Sequence, residues 1–392
     1  MLAAGWQSVE GTHVVSTPTE LAAIPGRARL RLVDPRSLDA IARSASRWFA
    51  DHARDLPWRR TRDPYAIWVS EIMLQQTRVE TVERYWGRFL DRFPDVGSLA
   101  AADEDAVLEQ WSGLGYYRRA RLLHRGARHV HAELGGELPR SAEELRAIPG
   151  IGPYTAGAIA SIAFDRPAPL VDGNVARVHS RLAGIEDPAL QDAKAKGHWR
   201  FVEEILARGR PRVLAQALME LGATVCTPRS PSCSDCPLRR QCRARAAGKQ
   251  ELIPAPKQKR PSPELHYFAL ALRRGDRLLI ERRSDEGLLA GLWCLPLFER
   301  MVGDREAQRE ALAVAAREQL GVELRLDEQP GTAVKHVFSH RVWHVLPWSG
   351  RARWAVKIRG REDGRTLAWL DADSAPEGGV PTLTRKLLRS LA

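Results

Sequence analysis

The segment Ile148-Pro149-Gly150-Ile151-Gly152-Pro153-Tyr154-Thr155-Ala156-Gly157 constrains this chain more than any other. Two glycines separated by one apolar residue make a tight turn whose backbone N–H groups no side chain shields. Pro153 then opens a helix, a position proline suits because its missing N–H would be unpaired there anyway. The turn therefore joins two helices, and its free donors point outward together with the positive end of the second helix. That is a docking point for phosphate. One helix later comes Val171-Asp172-Gly173-Asn174-Val175, with Asp172 placed just before another helical run. An aspartate so placed is an ordinary N-cap, and the residues alone leave that reading open beside a chemical one.

A chain of 392 residues is too long for a single core, so two domains are expected. The formal charge of +12 favours a polyanionic partner. No apolar run reaches the length of a membrane span, and no short apolar segment follows the N-terminus. The chain is expected to stay in the compartment where it is made, the cytoplasm. Its positive charge is almost all arginine: the first lysine is Lys194.

Residues 1–36 show no sustained periodicity and read as a flexible N-terminal extension. Residues 37–225 carry helical periodicity almost throughout, with amphipathic runs such as Ser98 to Trp111 and Ala142 to Ile148. A cysteine-bearing loop occupies 226–248, and a proline-rich, basic linker occupies 249–263. Beyond it, over 264–392, strand-like runs appear at His266–Leu272, Arg277–Ile280 and Val342–Val345, with a helical stretch from Arg305 to Leu320. The expected fold is an all-α domain followed by an α/β domain.

Cys226, Cys233, Cys236 and Cys242 are spaced C-x6-C-x2-C-x5-C. Four thiolates in so short a loop suit a tetrahedral site, either zinc or a cubane iron–sulfur cluster, and spacing alone does not separate the two. Cys294 reads as a small core residue. The helix around Ile67-Trp68-Val69-Ser70-Glu71-Ile72-Met73-Leu74-Gln75-Gln76-Thr77 is apolar but for one carboxylate, with Glu71 on the face of Ile67 and Leu74. A carboxyl packed against apolar groups is desolvated and holds its proton to higher pH, as a general acid must. A glutamate on the outer face of an amphipathic helix has the same spacing.

Leu56-Pro57-Trp58, the Glu71 helix, Gly113-Leu114-Gly115-Tyr116-Tyr117, the glycine turn, the Asp172 segment and the cysteine loop together resemble the MutY family of adenine DNA glycosylases. This family lies within the helix-hairpin-helix endonuclease III superfamily, and the resemblance runs over about residues 45–385. It implies a [4Fe–4S] cluster on Cys226, Cys233, Cys236 and Cys242. It further implies a monomer acting on double-stranded DNA, in which adenine lies opposite 8-oxoguanine or guanine. Glu71 would protonate adenine at N7, Asp172 would face the charge developing on the sugar, and Tyr154 and Asn174 would orient both. Arg54, Trp58, Leu74 and Gln216 would line the adenine pocket. Gly150 and Gly152 would hold the DNA backbone, while Gln76 and Tyr116 would enter the duplex. The lyase branch of the superfamily carries a nucleophilic lysine where this chain has Tyr154, and no lysine precedes Lys194. Hydrolytic base release without strand cleavage follows.

Residues 264–392 resemble the MutT-like C-terminal domain of the family, related to Nudix hydrolases. Placed on Glu306 to Val322, the Nudix pattern puts Val314 and Ala315 at its Arg-Glu pair, then Glu318 and Gln319 at its paired glutamates. Too few carboxylates remain to hold magnesium, so a binding module is expected. Phe338-Ser339-His340 matches the segment with which the family recognises 8-oxoguanine, whereas Trp343 and His344 read as strand residues. The rival readings are an endonuclease III-like pyrimidine glycosylase/lyase, a non-catalytic DNA-damage binding protein and a nucleotide pyrophosphatase.

Overall fold

A computed structural model describes residues 35–256, 261–353, 365–371 and 378–391. The N-terminal extension expected over 1–36 lies outside the described residues up to position 34, and so do positions 257–260 of the linker. The first helix, α1 (Pro35–His52), begins two residues before the expected start of the helical region.

The helical part continues through α2 (Pro64–Leu74), α3 (Val79–Arg92), α4 (Val96–Ala101), α5 (Glu104–Gln110), α6 (Arg118–Glu133) and α7 (Ala142–Leu145). It ends with α8 (Pro153–Ile162), α9 (Gly173–Ala183), α10 (Lys196–Leu206), α11 (Pro211–Thr224) and the short α12 (Arg243–Ala246). The run Ser98 to Trp111, expected as one amphipathic stretch, is two helices. Ala102 turns extended at φ −69°, ψ 150° and ends α4, and Asp103 adopts the same backbone ahead of α5.

Two apolar cores fill these helices. One gathers Trp68, Met73, Phe89, Trp111 and Leu123, and the other gathers Ile41, Ile67, Val175, Val202 and Leu218. Helix α2 lies between them, with Ile67 in one core and Trp68 in the other. Every residue from Tyr65 to Met73 is therefore buried, and a helix buried on all sides must be apolar all round. Beside it, α8 runs close against the chain before Asp172. A Cβ on Gly157 would sit 2.0 Å from the Pro169 carbonyl oxygen.

The second part is a mixed sheet with central order β3-β2-β1-β7-β5. Its strands are β1 (Glu264–Arg274), β2 (Arg277–Arg282), β3 (Trp293–Cys294), β4 (Leu297–Glu299), β5 (Leu324–Leu326), β6 (Val334–Val337), β7 (Val342–Ala352) and β8 (Thr366–Asp371). β1 and β7 pair in parallel from Glu264↔Val342 to Arg273↔Arg351, and the other pairings are antiparallel. Helix α13 (Arg305–Leu320) covers one face through Leu312, Ala316 and Leu320, and α14 (Thr382–Arg389) packs Leu383 and Leu387 into the other core. Cys294 is buried in β3, and Val314 stands exposed on α13.

The Gly157 contact is testable. Gly157→Ala forces α8 and the 169–170 backbone apart, an overpacking cost of about 3 kcal/mol. A thermal melt is expected to drop by several degrees, and an unchanged Tm would show that the segment yields freely.

Candidate active site

Burial of α2 leaves its one carboxylate without water. Glu71 is 5% exposed, and desolvation pushes its carboxyl up to about 7. The Tyr154 hydroxyl, on the first turn of α8, donates to Glu71 Oε2 at 2.9 Å and partly offsets that rise. Nearby Asp172 adds to the rise and Arg59 opposes it. Tyr154 OH also lies 3.3 Å from Met219 Sδ.

Asp172 is indeed the N-cap of α9, with Oδ1 accepting from Val175 N–H at 2.8 Å. Its Oδ2 accepts from Asn174 Nδ2 at 2.9 Å. Burial raises its carboxyl above the usual range, and these N–H donors counter the rise. Arg177 holds Asn174 in turn, donating Nη2 to Asn174 Oδ1 and to Gly222 O, both at 2.7 Å. Its Nε reaches Cys226 O at 2.7 Å. One guanidinium thus links the Asp172 cap to the first residue of the cysteine loop.

Glu71 and Asp172 face a cavity of about 760 Å³, within the range of small-molecule sites. Tyr154, Asn174, Arg54, Trp58, Leu74, Gln216, Gln76, Gly150 and Gly152 also line it, so eleven of the residues singled out by sequence come together. Tyr116, Phe338, Ser339 and His340 stand outside it. Of the two glycines, only Gly150 has a positive φ, 87°, and its Cβ would meet that of Leu122 at 2.8 Å. Gly152 is extended and faces open space, so a ligand backbone can approach the first turn of α8 closely.

Sequence reasoning missed Glu220 and Arg59. Glu220, on α11, accepts from Arg54 Nε and Nη2 at 2.8 Å each and from Arg59 Nη2 at 2.7 Å. Both guanidiniums hold its carboxyl down at about 2, against the pull of burial. A single carboxylate in the apolar run Leu218-Met219-Glu220-Leu221 is the same signal that singles out Glu71. Arg54 is therefore committed to an ion pair. Gln216 donates Nε2 to Arg212 O at 3.0 Å, which leaves its own oxygen as an acceptor.

Helix α2 ends at Leu74, short of Thr77. Gln75 turns extended, and Gln76 takes a left-handed backbone at φ 56°. Tyr116 has φ 50° and is 48% exposed, so its ring is not part of a core. Its hydroxyl lies 3.0 Å from Ser339 Oγ. Ser339 sits in the hairpin between β6 and β7, closed by Phe338 N–H to Arg341 O at 2.9 Å. The Phe338 ring is half-buried, edge-on to Trp343 at 4.9 Å and to His336 at 4.6 Å, while Ser339 and His340 are exposed. Trp343 is buried in β7, and His344 Nε2 lies 3.1 Å from Glu264.

The four loop cysteines line one small cavity of about 20 Å³ with Arg181, Arg239 and Arg245, and no carboxylate lines it. Arg181 donates Nη1 to Cys226 Sγ at 3.3 Å and anchors the loop through Thr227 O at 2.7 Å. Burial holds the Cys236 thiol up at about 11, so a metal bound there would have to displace its proton. Four cysteines lining one cavity edged by cations fit an anionic thiolate-bound group.

Residues 69–201 match the family model of the HhH-GPD superfamily of base excision DNA repair proteins, and residues 267–390 match that of the NUDIX domain. Adenine DNA glycosylase of Mus musculus is 36% identical over 394 residues, covering 87% of this chain and 76% of its own length. That of Homo sapiens is 36% identical over 415 residues, covering 91% and 74%. The solved structure of a thermostable thymine-DNA glycosylase superposes with a TM-score of 0.50 at 27% identity, over 54% of this chain and 98% of its own.

Opposite stability effects are expected at the two buried glutamates. The folded-state pKa of Glu71 lies above its ordinary 4.5, so the fold loses stability as pH rises from 4.5 through 7. Glu71→Gln removes that loss and stabilises the protein at pH 8 by about 3 kcal/mol. The pKa of Glu220 lies below 4.5, so its contribution is present above pH 4.5 and lost as pH falls toward 2. Glu220→Gln should destabilise at pH 7 by about 2 kcal/mol, discounted because Arg54 is 38% exposed. Denaturant melts across pH check both, and the same sign for the two variants would contradict the assignment.

Proposed function

This chain belongs to the adenine DNA glycosylase family, the hydrolases that release adenine by cleaving its N-glycosyl bond in base excision repair, and we propose that the cavity between α2 and α9 performs that chemistry on adenine mispaired with 8-oxoguanine or guanine. The observation that carries the reading is a carboxyl buried so as to keep its proton near neutral pH, facing a second carboxylate across a cavity without a lysine. Adenine within a duplex must leave the stack to be reached. Glu71 then donates its proton to adenine N7, so that the departing base leaves neutral. Tyr154, hydrogen-bonded to Oε2, sets the orientation of that donor.

As the C1′–N9 bond breaks, positive charge develops on the sugar. Asp172, held by Val175 N–H and Asn174 Nδ2, stabilises it, as paired carboxylates do in glycoside hydrolysis. The Glu71 carboxylate left after proton transfer accepts a proton from the attacking water, and the products are free adenine and an abasic site. No lysine lines the cavity to trap that site as a Schiff base, which supports hydrolysis over lyase chemistry. Trp58, Leu74 and Gln216 shape the adenine pocket, and Arg54 borders it through Glu220. Gly150 and Gly152 meet the DNA backbone. Gln76 and Tyr116 enter the duplex.

Phe338, Ser339 and His340 read the base opposite. The contact between Ser339 Oγ and Tyr116 supports this, because it sets the hairpin beside a residue that enters the gap. The division into a glycosylase domain over 37–225, a cluster loop over 226–248, a linker over 249–263 and a reading domain over 264–392 belongs to the same proposal, and so does action as a monomer in the compartment that holds the DNA. Among the described residues no helix is long and apolar enough to cross a membrane. The family typically carries a [4Fe–4S] cluster, and Cys226, Cys233, Cys236 and Cys242 would hold it here. When bound, the group ties four points of the loop into one frame beside Arg181 and Arg177.

Single-turnover cleavage of a duplex with adenine opposite 8-oxoguanine tests the reaction. Strand breaks are expected only after alkali, and breaks without alkali would identify a lyase. Glu71→Gln should release no base while still binding the duplex. In the wild type the rate should fall as pH rises through about 7, as the acid form is lost. A rate that climbs through that range would remove Glu71 from the acid role. Iron analysis tests the cluster: Cys236→Ala should retain less iron per chain than the wild type, and equal iron would place the metal elsewhere.

A further inference from the structure

Arg119 is buried near the start of α6 and donates five hydrogen bonds, all into two short segments. Its Nη1 reaches the carbonyls of Ile72 and Met73 at 2.8 Å each, and that of Gln75. Its Nη2 reaches Thr77 Oγ1 at 3.0 Å and Gly115 O at 3.1 Å. The guanidinium also lies 5.4 Å from the ring centre of Tyr116 and 5.4 Å from that of Trp111. Ile72 O and Met73 O belong to the last turn of α2, where carbonyls have no partner within the helix, and Gln75 O and Thr77 Oγ1 lie just beyond it. Gly115 O, together with the Tyr116 ring, belongs to the loop before α6.

These two segments carry Gln76 and Tyr116, two of the five residues other than glycine with a positive φ among the described residues. Amide and aromatic side chains adopt that backbone only where their surroundings over-determine it. Here one side chain does so for both. A lysine would be no substitute, since a single ammonium has three donors and no planar fork to span both loops.

We propose that Arg119 is a positioning residue for base extrusion, locking the Gln76 and Tyr116 loops into one unit so that both side chains enter the duplex from fixed places. This rests on the reading that Gln76 and Tyr116 enter the duplex. The two loops are then coupled through one cation, and loosening either one disturbs the other.

The test uses the full chain and a duplex containing 2′-fluoro-2′-deoxyadenosine opposite 8-oxoguanine, which resists base release. A neighbouring 2-aminopurine reports unstacking. Arg119→Lys should slow the rise in fluorescence roughly tenfold while circular dichroism shows the helical content retained. In a Gln76→Ala/Tyr116→Ala background, Arg119→Lys should slow it no further. An equal slowing in that background would overturn the proposal, because Arg119 would then act through the fold at large. A Gln76→Ala/Tyr116→Ala protein that unstacks the probe as fast as wild type would instead overturn the duplex-entry reading itself. Should Arg119→Lys fail to fold, Thr77→Val removes one anchor and leaves the guanidinium in place. It is expected to slow unstacking severalfold, and a wild-type rate would count against the coupling.

Discussion

A carboxyl group taken out of water keeps its proton unless cations or N–H donors stabilise the charge. Helix α2 is apolar on all sides because it is wedged between two cores, so Glu71 has no route to solvent except through the cavity. Its hydrogen-bond donor is a neutral phenol, and the proton stays near neutral pH. Glu220, across the same cavity, is as deeply buried but meets two guanidiniums, and is fully ionised. Two glutamates of the same kind are thus driven apart by environment into an acid and a fixed anion. That separation is the pattern by which a site assigns acid and charge-holding roles at one pH.

Arginine does the holding elsewhere in this region. Arg119, Arg177, Arg181 and Arg212 each reach backbone carbonyls that no helix or sheet satisfies, at the end of α2, behind Asp172, in the cysteine loop and before α2. A guanidinium remains charged when buried and spans several acceptors, which an ammonium does not. The absence of lysine before Lys194 and the wealth of arginine have one structural meaning: this framework is tied together by cations that cannot serve as amine nucleophiles.

Much of this was legible in the sequence. Helical periodicity up to the cysteine loop and the strand runs beyond it mark the two architectures, and Arg305 to Leu320 is a helix with those bounds. The lone carboxylate in an apolar helix left a buried acid and an outer-face glutamate both open, and burial of α2 decides for the first; the aspartate before Gly173 read as a cap or a chemical group, and it is a cap that also faces the cavity. What escaped is non-local. The helix period runs on to Thr77, and nothing nearby in sequence announces that Arg119, more than forty residues away, ends it at Leu74. The left-handed backbone at Gln76 has no glycine nearby to signal it, and at Tyr116 the glycines stand one and three residues earlier. Glu220 carried the Glu71 signal, but its arginine partners lie more than 160 residues away.

The strand-rich part meets the helices through polar and apolar contacts together, with Leu292 buried in the core that holds Trp68 and Trp111. Ser112 Oγ and Tyr117 OH both donate to Val380 O, Arg121 to Ala290 O, and Arg282 to Asp105. Because the two parts share one chain, the tether holds them at an effective concentration of about a millimolar, and these contacts form as an intramolecular event. A ligand that competes for this face must displace a neighbour present at that concentration, and the covalent link returns the neighbour when the ligand departs.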